Sequence, residues 1–117
     1  DIVCIAVDPA DENHIFVGSW GGGVLEFRND EFVERYTNFN SPLQTELPQQ
    51  PNEPYVRIGG LDFDSEGNLW ITNTATAEKN IHKLSPSGDW KSFTMSQVHN
   101  LSLQLIFLPV VVFMTTI

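Results

Sequence analysis

Two carboxylates in the middle of the chain have a spacing that could support chemistry. Asp62 and Asp64 lie two positions apart in an alternating stretch, so on a β-strand their side chains would share one face. A carboxylate pair is what general acid and base catalysis of glycoside hydrolysis uses. A turn directly after Asp64 favours a simpler role, in which these carboxylates end the strand and accept turn hydrogen bonds. We therefore predict no catalytic residues and no enzyme activity.

The same stretch partly resembles a calcium-binding loop. Asp62, Asp64 and Glu66 alternate directly before Gly67, as the first ligands of such a loop do. The twelfth position is Asn73, however, where the loop needs a bidentate glutamate. We therefore predict no calcium site.

The histidines and the single cysteine do not form a metal-binding pattern either. His14, His82 and His99 lie in different predicted strands or turns, without ligand spacing. Cys4 lies in an apolar run, which is typical of a buried and unreactive thiol. We predict no metal and no cofactor, and histidines that are either hydrogen-bonded or solvent-facing.

Trp20 and the three glycines that follow it form the candidate ligand-binding site. An aromatic ring beside a glycine loop can stack on a sugar ring, while the backbone supplies hydrogen bonds. Trp20 could instead pack between two sheets, with Gly21, Gly22 and Gly23 only turning the chain. The sequence leaves both interpretations open.

A β-hairpin between Gly59 and Thr72 is the element around which the chain is organised. Apolar and polar residues alternate in two short runs on either side of Ser65–Asn68, whose residue types favour a tight turn. This pattern is typical of a strand, a turn and a second strand.

The same pattern occurs once earlier in the chain, which makes it an internal repeat. Its matched positions are Asp8 with Asp64 at an offset of 56, Phe16 with Trp70 at 54, and Val24 with Ile81 and Tyr36 with Phe93 at 57. A repeat of this length with four short strands predicts an all-β fold made of β-propeller blades.

We predict two four-stranded antiparallel blades, in residues 1–38 and 55–95. A proline-rich connecting loop at 39–54 joins them as a surface insertion, and an apolar tail at 96–117 begins a third blade. Within the first blade we expect a turn at 9–14 and a loop at 20–23. Because propellers close with about four to eight blades, we expect a fragment of a larger propeller, with self-association as the alternative route to closure.

The apolar tail does not continue the repeat. Leu101, Leu103 and Leu105 alternate as a strand would, but no turn motif follows as far as Ile117. The apolar run is shorter than the roughly 18 residues of a spanning helix, and Pro109 would kink it. We interpret the tail as one or two strands that need a neighbouring sheet, and we expect no membrane-spanning segment.

The charge balance excludes one class of partner. Six basic residues against 15 acidic ones give a net charge of −9, which repels the phosphate backbone of a nucleic acid. We therefore expect no nucleic-acid partner. The expected partners are other propeller blades or protomers.

Two stretches resemble a known family of propellers. Residues Gly60–Ile71 resemble the repeat called the two-component regulator propeller, found in periplasmic sensor halves of hybrid two-component proteins of Bacteroidetes. Residues Ile5–Phe27, together with Tyr36 and Asn40–Leu43, resemble the propeller of PorZ-like proteins of the type IX secretion system. The resemblance covers residues 5–95 and implies a location in the periplasm or at the cell surface.

The resemblance implies a role without chemistry. It suggests a binding and scaffolding module of a PorZ-like secretion component, whose partners would be surface glycans or proteins of the secretion machinery. The alternative is the periplasmic propeller of a two-component regulator that senses a glycan. The repeat has no defined catalytic residues, and it is shared by both classes of protein.

Overall fold

A computed structural model describes residues 1–47, 49–50, 55–74, 79–94 and 97. Eight antiparallel strands account for its regular structure. They are β1 (Ile2–Asp8), β2 (Asp11–Gly21), β3 (Gly23–Arg28), β4 (Glu31–Tyr36), β5 (Val56–Phe63), β6 (Leu69–Asn73), β7 (Ile81–Leu84) and β8 (Trp90–Phe93).

The strands form two four-stranded meanders, which we call blade 1 (β1–β4) and blade 2 (β5–β8). Within each blade, every strand pairs with the next one along the chain. The end of β2 extends past β1 and pairs with β5, where Trp20 lies opposite Arg57 and Gly21 opposite Val56. The predicted all-β propeller architecture is confirmed.

Strand register reproduces the repeat found in the sequence. Ala6 pairs with Phe16 in blade 1, and the equivalent pair in blade 2 is Asp62 with Trp70. In the outer strands, the pairs are Val24 with Tyr36 and Ile81 with Phe93. Each matched position therefore occupies the same place in its blade.

The hydrophobic core lies between the two blades. One face of blade 1 and one face of blade 2 share a buried cluster that includes Ala6, Phe16, Val24, Leu61, Leu69, Ile71 and Leu84. Aromatic pairs cross the same interface: the ring centroids of Phe16 and Phe63 are 5.9 Å apart, and those of Tyr36 and Trp90 are 5.5 Å apart. Burial of apolar surface thus holds one blade against the other.

The predicted turn at 9–14 is too long. Strand β2 already begins at Asp11, which pairs with Asp8 across Pro9 and Ala10. The Asp8 carboxylate accepts the backbone N–H of Ala10 at 2.9 Å, and this short turn lets the strand start earlier.

The predicted loop at 20–23 is also too long, because only Gly22 lies between β2 and β3. Gly21 and Gly23 have φ angles of 126° and 78°, which glycine adopts readily. The backbone N–H of Gly22 donates to Ser19 Oγ at 2.8 Å and closes the turn.

The connecting segment after β4 is more than a surface insertion. Leu43 is 2% exposed and belongs to the interblade core. The next residue, Gln44, donates its backbone N–H to Asn73 Oδ1 at 2.6 Å. The expectation of a simple surface loop is therefore wrong for this part, because an apolar side chain of the loop completes the core.

Among the residues that the structure describes, no helix is long and apolar enough to cross a membrane. The predicted strands of the apolar tail, and its proposed role as the start of a third blade, lie outside the described residues.

Candidate functional site

The exposed end of β2 carries the predicted site residue Trp20. Its side chain is 41% exposed, so it is not packed between the sheets. The guanidinium carbon of Arg57 lies 4.9 Å from the centroid of the Trp20 ring and 5.0 Å from that of Tyr55. A cation between two aromatic rings is held by their negative faces. We call Trp20, Tyr55 and Arg57 the rim cluster.

The guanidinium of the rim cluster is fixed in position. Arg57 donates to the Tyr55 hydroxyl at 3.3 Å, and its Nη1 lies 3.8 Å from Glu46 Oε1. The hydrogen bond to Tyr55, together with the nearby Glu46 carboxylate, raises the pKa of Arg57. The rim cluster therefore presents a permanent positive charge beside an exposed indole ring.

The three glycines shape the turn next to this cluster. A side chain at Gly21 would lie against the Tyr55 ring, at 3.6 Å. The carbonyl of Gly22 accepts a hydrogen bond from Arg35 Nε at 2.8 Å, and its N–H is taken by Ser19. The backbone hydrogen bonds that the sequence offered to a ligand are thus already used at Gly22. Ligand binding by Trp20 and Gly21–Gly23 stays a prediction.

Tyr55 and Arg57 belong to this site although no pattern in the sequence predicted them. They precede and begin β5, far from Trp20 along the chain, and only the pairing of β2 with β5 brings them together. No motif in the sequence signals that register.

A second group of polar residues is buried between the blades. Nδ1 of His14 lies 2.8 Å from Asp8 Oδ2, and Nε2 lies 2.6 Å from Glu26 Oε2. The Tyr36 hydroxyl donates to the other oxygen of Glu26 at 2.7 Å. His14 and Glu26 are each 7% exposed. The four residues, which we call the buried chain, connect β1, β2, β3 and β4.

The surroundings shift the pKa values of the two residues at the ends of the buried chain, Asp8 and Tyr36, in opposite directions. Burial alone would raise the pKa of Asp8, but hydrogen bonds from Ala10 and His14 and the charges of His14 and Arg28 lower it overall. Burial and the Glu26 carboxylate raise the pKa of the Tyr36 phenol. The carboxylate of Asp8 is thus stabilised as an anion, and Tyr36 stays a hydrogen-bond donor.

The buried chain borders a small interblade cavity. Its volume is about 80 Å³, and Phe63, Leu84 and Pro86 of blade 2 form the opposite wall. That space has room for only a few water molecules and is well below the roughly 300 Å³ of a typical small-ligand pocket. The geometry is that of a structural network and not of a substrate site.

Asp64 organises the hairpin turn of blade 2, as the sequence indicates. Its Oδ1 accepts the backbone N–H groups of Glu66 and Asn68, and its Oδ2 accepts Asn68 Nδ2 and Trp70 Nε1, all at 2.9 Å. Burial raises the pKa of this carboxyl, but the four hydrogen bonds outweigh it and lower the pKa overall. The prediction that this carboxylate accepts turn hydrogen bonds is confirmed.

Asp62 differs from Asp64 in its surroundings. Its only side-chain hydrogen bond in the described part of the chain is to the backbone N–H of Phe63, at 3.0 Å. Burial raises the pKa of the Asp62 carboxyl. Asp64 thus uses its carboxylate oxygens to hold the turn, whereas Asp62 makes a single hydrogen bond to the neighbouring backbone.

The turn of blade 1 uses a different residue for the same task. By strand register, His14 occupies the position of Asn68 in blade 2. Asn68 donates a hydrogen bond from Nδ2 to Asp64, and Nδ1 of His14 lies within hydrogen-bond distance of Asp8, the aspartate that begins the turn of blade 1. The prediction of a hydrogen-bonded histidine is confirmed for His14.

The same prediction has different outcomes for the other two histidines, His82 and His99. His82 is fully buried, and its Nδ1 lies 2.8 Å from Ser92 Oγ. Among the residues that the structure describes, its Nε2 has no hydrogen-bond partner, so the prediction of a hydrogen-bonded ring is met there at Nδ1 alone. By strand register, the equivalent position in blade 1 is occupied by Leu25. The repeat therefore accommodates an apolar side chain at this position. His99 lies outside the described residues.

The cysteine and the acidic side chains form neither a reactive thiol nor a metal site in the described ranges. Cys4 is half-buried, and burial raises the pKa of its thiol, in keeping with an unreactive cysteine. Within the described ranges, no group of three or more histidine, cysteine, aspartate or glutamate side chains is placed to hold a metal ion.

Comparison with known proteins identifies the blades. No family model and no curated protein matches the chain. A solved structure does match: that of PorZ, described as an essential bacterial surface component of the type IX secretion system of Porphyromonas gingivalis. The match has 35% sequence identity and a TM-score of 0.71, and it covers 80% of this chain and 12% of the PorZ chain. The chain is therefore built of PorZ-like β-propeller blades.

Proposed function

We propose that the chain is a non-catalytic binding and scaffolding module of an extracytoplasmic, PorZ-like component of a type IX secretion system. The observation that carries this proposal is the 35% identity to PorZ over 80% of the chain. Because the matched part is only 12% of PorZ, the secretion role belongs to the whole protein that contains these blades.

The rim cluster is the binding surface in this proposal. The free face of the Trp20 indole is available for stacking, and Arg57 offers a fixed positive charge beside it. Arg35 lies next to the same turn through its bond to Gly22. These groups suit a sugar ring that carries hydroxyl or acidic substituents, or an acidic segment of a secretion protein.

The described residues support a role without chemistry. All four acceptor positions of Asp64 are occupied by hydrogen bonds. The His14 ring lies between two carboxylates and borders a cavity of only about 80 Å³. The Asp64 carboxylate therefore has no free acceptor position for a substrate in this arrangement.

A complementation experiment tests the secretion role. The gene for the full-length protein is deleted in its own host and replaced by wild type, Trp20→Ala, Arg57→Ala or the control Lys91→Ala. The measurement is the amount of type IX cargo attached to the cell surface. We expect deletion to abolish attachment, Lys91→Ala to restore it, and the two rim variants to restore it only in part.

Two results would contradict this proposal. Normal cargo attachment in the deletion strain excludes a secretion role. If that strain instead loses its transcriptional response to an added glycan, the protein is the sensor of a two-component system.

The binding surface is tested separately with purified full-length protein. Intact surface polysaccharide from the same bacterium is titrated into wild type, Trp20→Ala and the control Phe39→Ala, whose ring is also exposed. We expect Trp20→Ala to weaken binding at least tenfold while Phe39→Ala does not. Equal binding by all three proteins would show that the rim cluster is not the site.

A further inference from the structure

We propose that the buried chain of Asp8, His14, Glu26 and Tyr36 is a pH switch for the contact between the two blades. In the tight form, which is the arrangement in the structure, His14 carries a hydrogen on each ring nitrogen. Release of one of them at alkaline pH loosens the contact. The ligand of this site is thus a single proton, and the switch is independent of the rim cluster and of the proposed secretion role.

Both ring nitrogens of His14 face a carboxylate oxygen. Nδ1 lies 2.8 Å from Asp8 Oδ2, and Nε2 lies 2.6 Å from Glu26 Oε2. Contacts this short need a hydrogen between the two atoms, because otherwise two lone pairs would face each other. A neutral imidazole has one N–H and an ionised carboxylate has none, so these three groups must hold one additional proton.

The imidazole ring is the place for this additional proton. Burial raises the pKa of Asp8, but hydrogen bonds and nearby positive charges lower it overall and keep this carboxylate ionised. Glu26 accepts the Tyr36 hydroxyl at 2.7 Å through Oε1, and Arg28 Nη2 lies 3.8 Å from its Oε2. An ionised carboxylate is the best acceptor for such donors, and an imidazole is intrinsically a stronger base than a carboxylate. His14 is therefore an imidazolium between two carboxylates.

Among the described residues, the titratable groups that line the cavity beside His14 all belong to blade 1. They are Asp8 on β1, Glu26 and Arg28 on β3, and Tyr36 on β4. The wall from blade 2 consists of residues without a titratable side chain, among them Phe63, Leu84, Ser85 and Pro86. Glu66 of blade 2 borders a neighbouring cleft together with Asp8, but not this cavity. Release of the proton therefore changes the charge inside blade 1, next to an uncharged wall of blade 2.

This set of titratable groups is not a general feature of the repeat. By strand register, the places of His14, Glu26 and Tyr36 are occupied in blade 2 by Asn68, Lys83 and Phe93. Asn68 donates Nδ2 to Asp64 at 2.9 Å, so an uncharged amide is sufficient to hold the turn. Blade 1 therefore has a titratable ring at a position where the fold needs only a neutral hydrogen-bond donor.

Tyr36 connects the proton on His14 to the contact between the blades. A neutral His14 can donate to only one of its two carboxylates, so the other one would face a ring lone pair and must move or bind water. Glu26 holds the Tyr36 hydroxyl, and the Tyr36 ring contacts Trp90 of blade 2 edge-on at 5.5 Å. The cavity of about 80 Å³ beside these groups has room for the water. The proton thus keeps Tyr36 in place against blade 2.

The pH effect of this switch has a definite direction. A histidine in an unfolded chain releases its proton at about pH 6.5, whereas the tight form keeps it bound above that pH. The contribution of the switch to stability is therefore complete below about pH 6.5 and is lost as the pH rises. Since one proton is released, the equilibrium constant for opening of the blade contact rises by up to about tenfold per pH unit.

Amide hydrogen exchange of the full-length protein tests the switch. Mass spectrometry measures exchange in peptides that cover β4 and β8, between about pH 6.5 and pH 8.5, in wild type, His14→Asn and the control His82→Leu. Asparagine is the residue that blade 2 has at the position of His14, and it does not titrate. His82 is a second buried histidine, and burial lowers its pKa to about 4, so it is neutral throughout this range.

We expect the protection of these peptides in wild type, corrected for the intrinsic exchange rate, to fall by about tenfold or more over this range. His82→Leu should show the same fall, whereas protection in His14→Asn should change by less than about twofold. A fall of equal size in His14→Asn, or no fall in wild type, would overturn the proposal.

Deuterium exchange at Cε1 of the histidine rings gives a second test, which applies even if His14→Asn fails to fold. The pH profile of this exchange reports the protonation of each ring, and mass spectrometry reads it from the peptide that contains the histidine. At about pH 7.5, we expect His14 of the folded full-length protein to be protonated and His82 to be neutral. A neutral His14 at that pH would overturn the proposal.

Discussion

Nε2 of His14 lies 2.6 Å from Oε2 of Glu26, and both side chains are buried between the two blades. The other carboxylate oxygen of Glu26, Oε1, accepts a hydrogen bond from the Tyr36 hydroxyl at 2.7 Å. The contact joins β2 to β3, and the Tyr36 bond extends it to β4. The buried chain therefore ties blade 1 together at the face that packs on blade 2.

Glu26→Gln should destabilise the protein more than Glu34→Gln. The glutamine amide would place a donor against His14 or Tyr36, and one buried partner would lose its acceptor, at a cost of about 1–3 kcal/mol. Glu34 lies on the exposed strand β4, where the same change should cost less than about 0.5 kcal/mol. Urea unfolding followed by circular dichroism measures the stability of both variants. Equal unfolding midpoints for Glu26→Gln and Glu34→Gln would contradict a role for the buried chain in stability.

His82 should make stability sensitive to mild acid. Burial lowers the pKa of His82 from 6.5 to about 4, so between these values the unfolded state binds a proton that the folded state does not. Stability is therefore complete above about pH 6.5 and falls as the pH drops towards 4, by at most about 3 kcal/mol.

The variant His82→Leu tests this assignment, because leucine stands at the equivalent position of blade 1. We expect the loss of stability between pH 7 and pH 5 to become smaller in this variant than in the wild type. Unchanged pH dependence would assign the acid sensitivity to other groups.

Asp64→Asn should unfold the turn of blade 2, whereas Asp62→Asn should be tolerated. The Asp64 carboxylate accepts four hydrogen bonds. In the variant, the N–H group of the asparagine amide would face the Trp70 or Asn68 donors, at a cost of at least about 2 kcal/mol. Asp62 has a raised pKa, so a neutral side chain there relieves the burial of a charge. Thermal unfolding compares the stabilities of the two variants. A lower melting temperature for Asp62→Asn than for Asp64→Asn would contradict this account of the hairpin.

The pH dependence of Asp64→Asn follows from the lowered pKa of Asp64 in the wild type. Folding lowers the pKa of Asp64, so its stabilisation is present above its unfolded pKa and is lost as the pH falls through its folded pKa. Asp64→Asn should therefore show a smaller loss of stability in acid than the wild type. A loss as large as in the wild type would show that Asp64 is not the titrating group.

Gly23→Ala should be far more destabilising than Gly88→Ala. Both glycines have positive φ angles, 78° and 91°, which cost roughly 1–2 kcal/mol for alanine. At Gly23 the added methyl group would also collide with the carbonyl oxygen of Tyr36, whereas at Gly88 it would meet nothing within 4 Å. We expect a difference of at least about 2 kcal/mol in the free energy of unfolding. Similar values would show that β4 can move away from the turn.

Local patterns in the sequence were sufficient to predict most of the architecture. Alternation around Asp64 predicted the hairpin, and the matched positions in the repeat occupy equivalent places in the two blades. The strand boundaries near Asp11 and Gly21 were less accurate, because side-chain and glycine geometry at each turn decides where pairing begins.

The candidate site was predicted only in part. Trp20 and its glycines could be recognised because they are adjacent in the sequence. Tyr55 and Arg57 could not be recognised, because only the pairing of β2 with β5 brings them to Trp20. The core residue Leu43 could not be recognised either, since loops do not follow a period.

The sequence by itself determined that this protein is made of antiparallel blades with an aspartate at the head of each hairpin, since those features depend on neighbours within one or two strands. The tertiary structure decided that His14 meets Glu26 and that Arg57 lies between Trp20 and Tyr55. These contacts depend on the register of strands and on how one blade rests on the other. Register is set by many weak contacts summed over a whole sheet, which no short motif records.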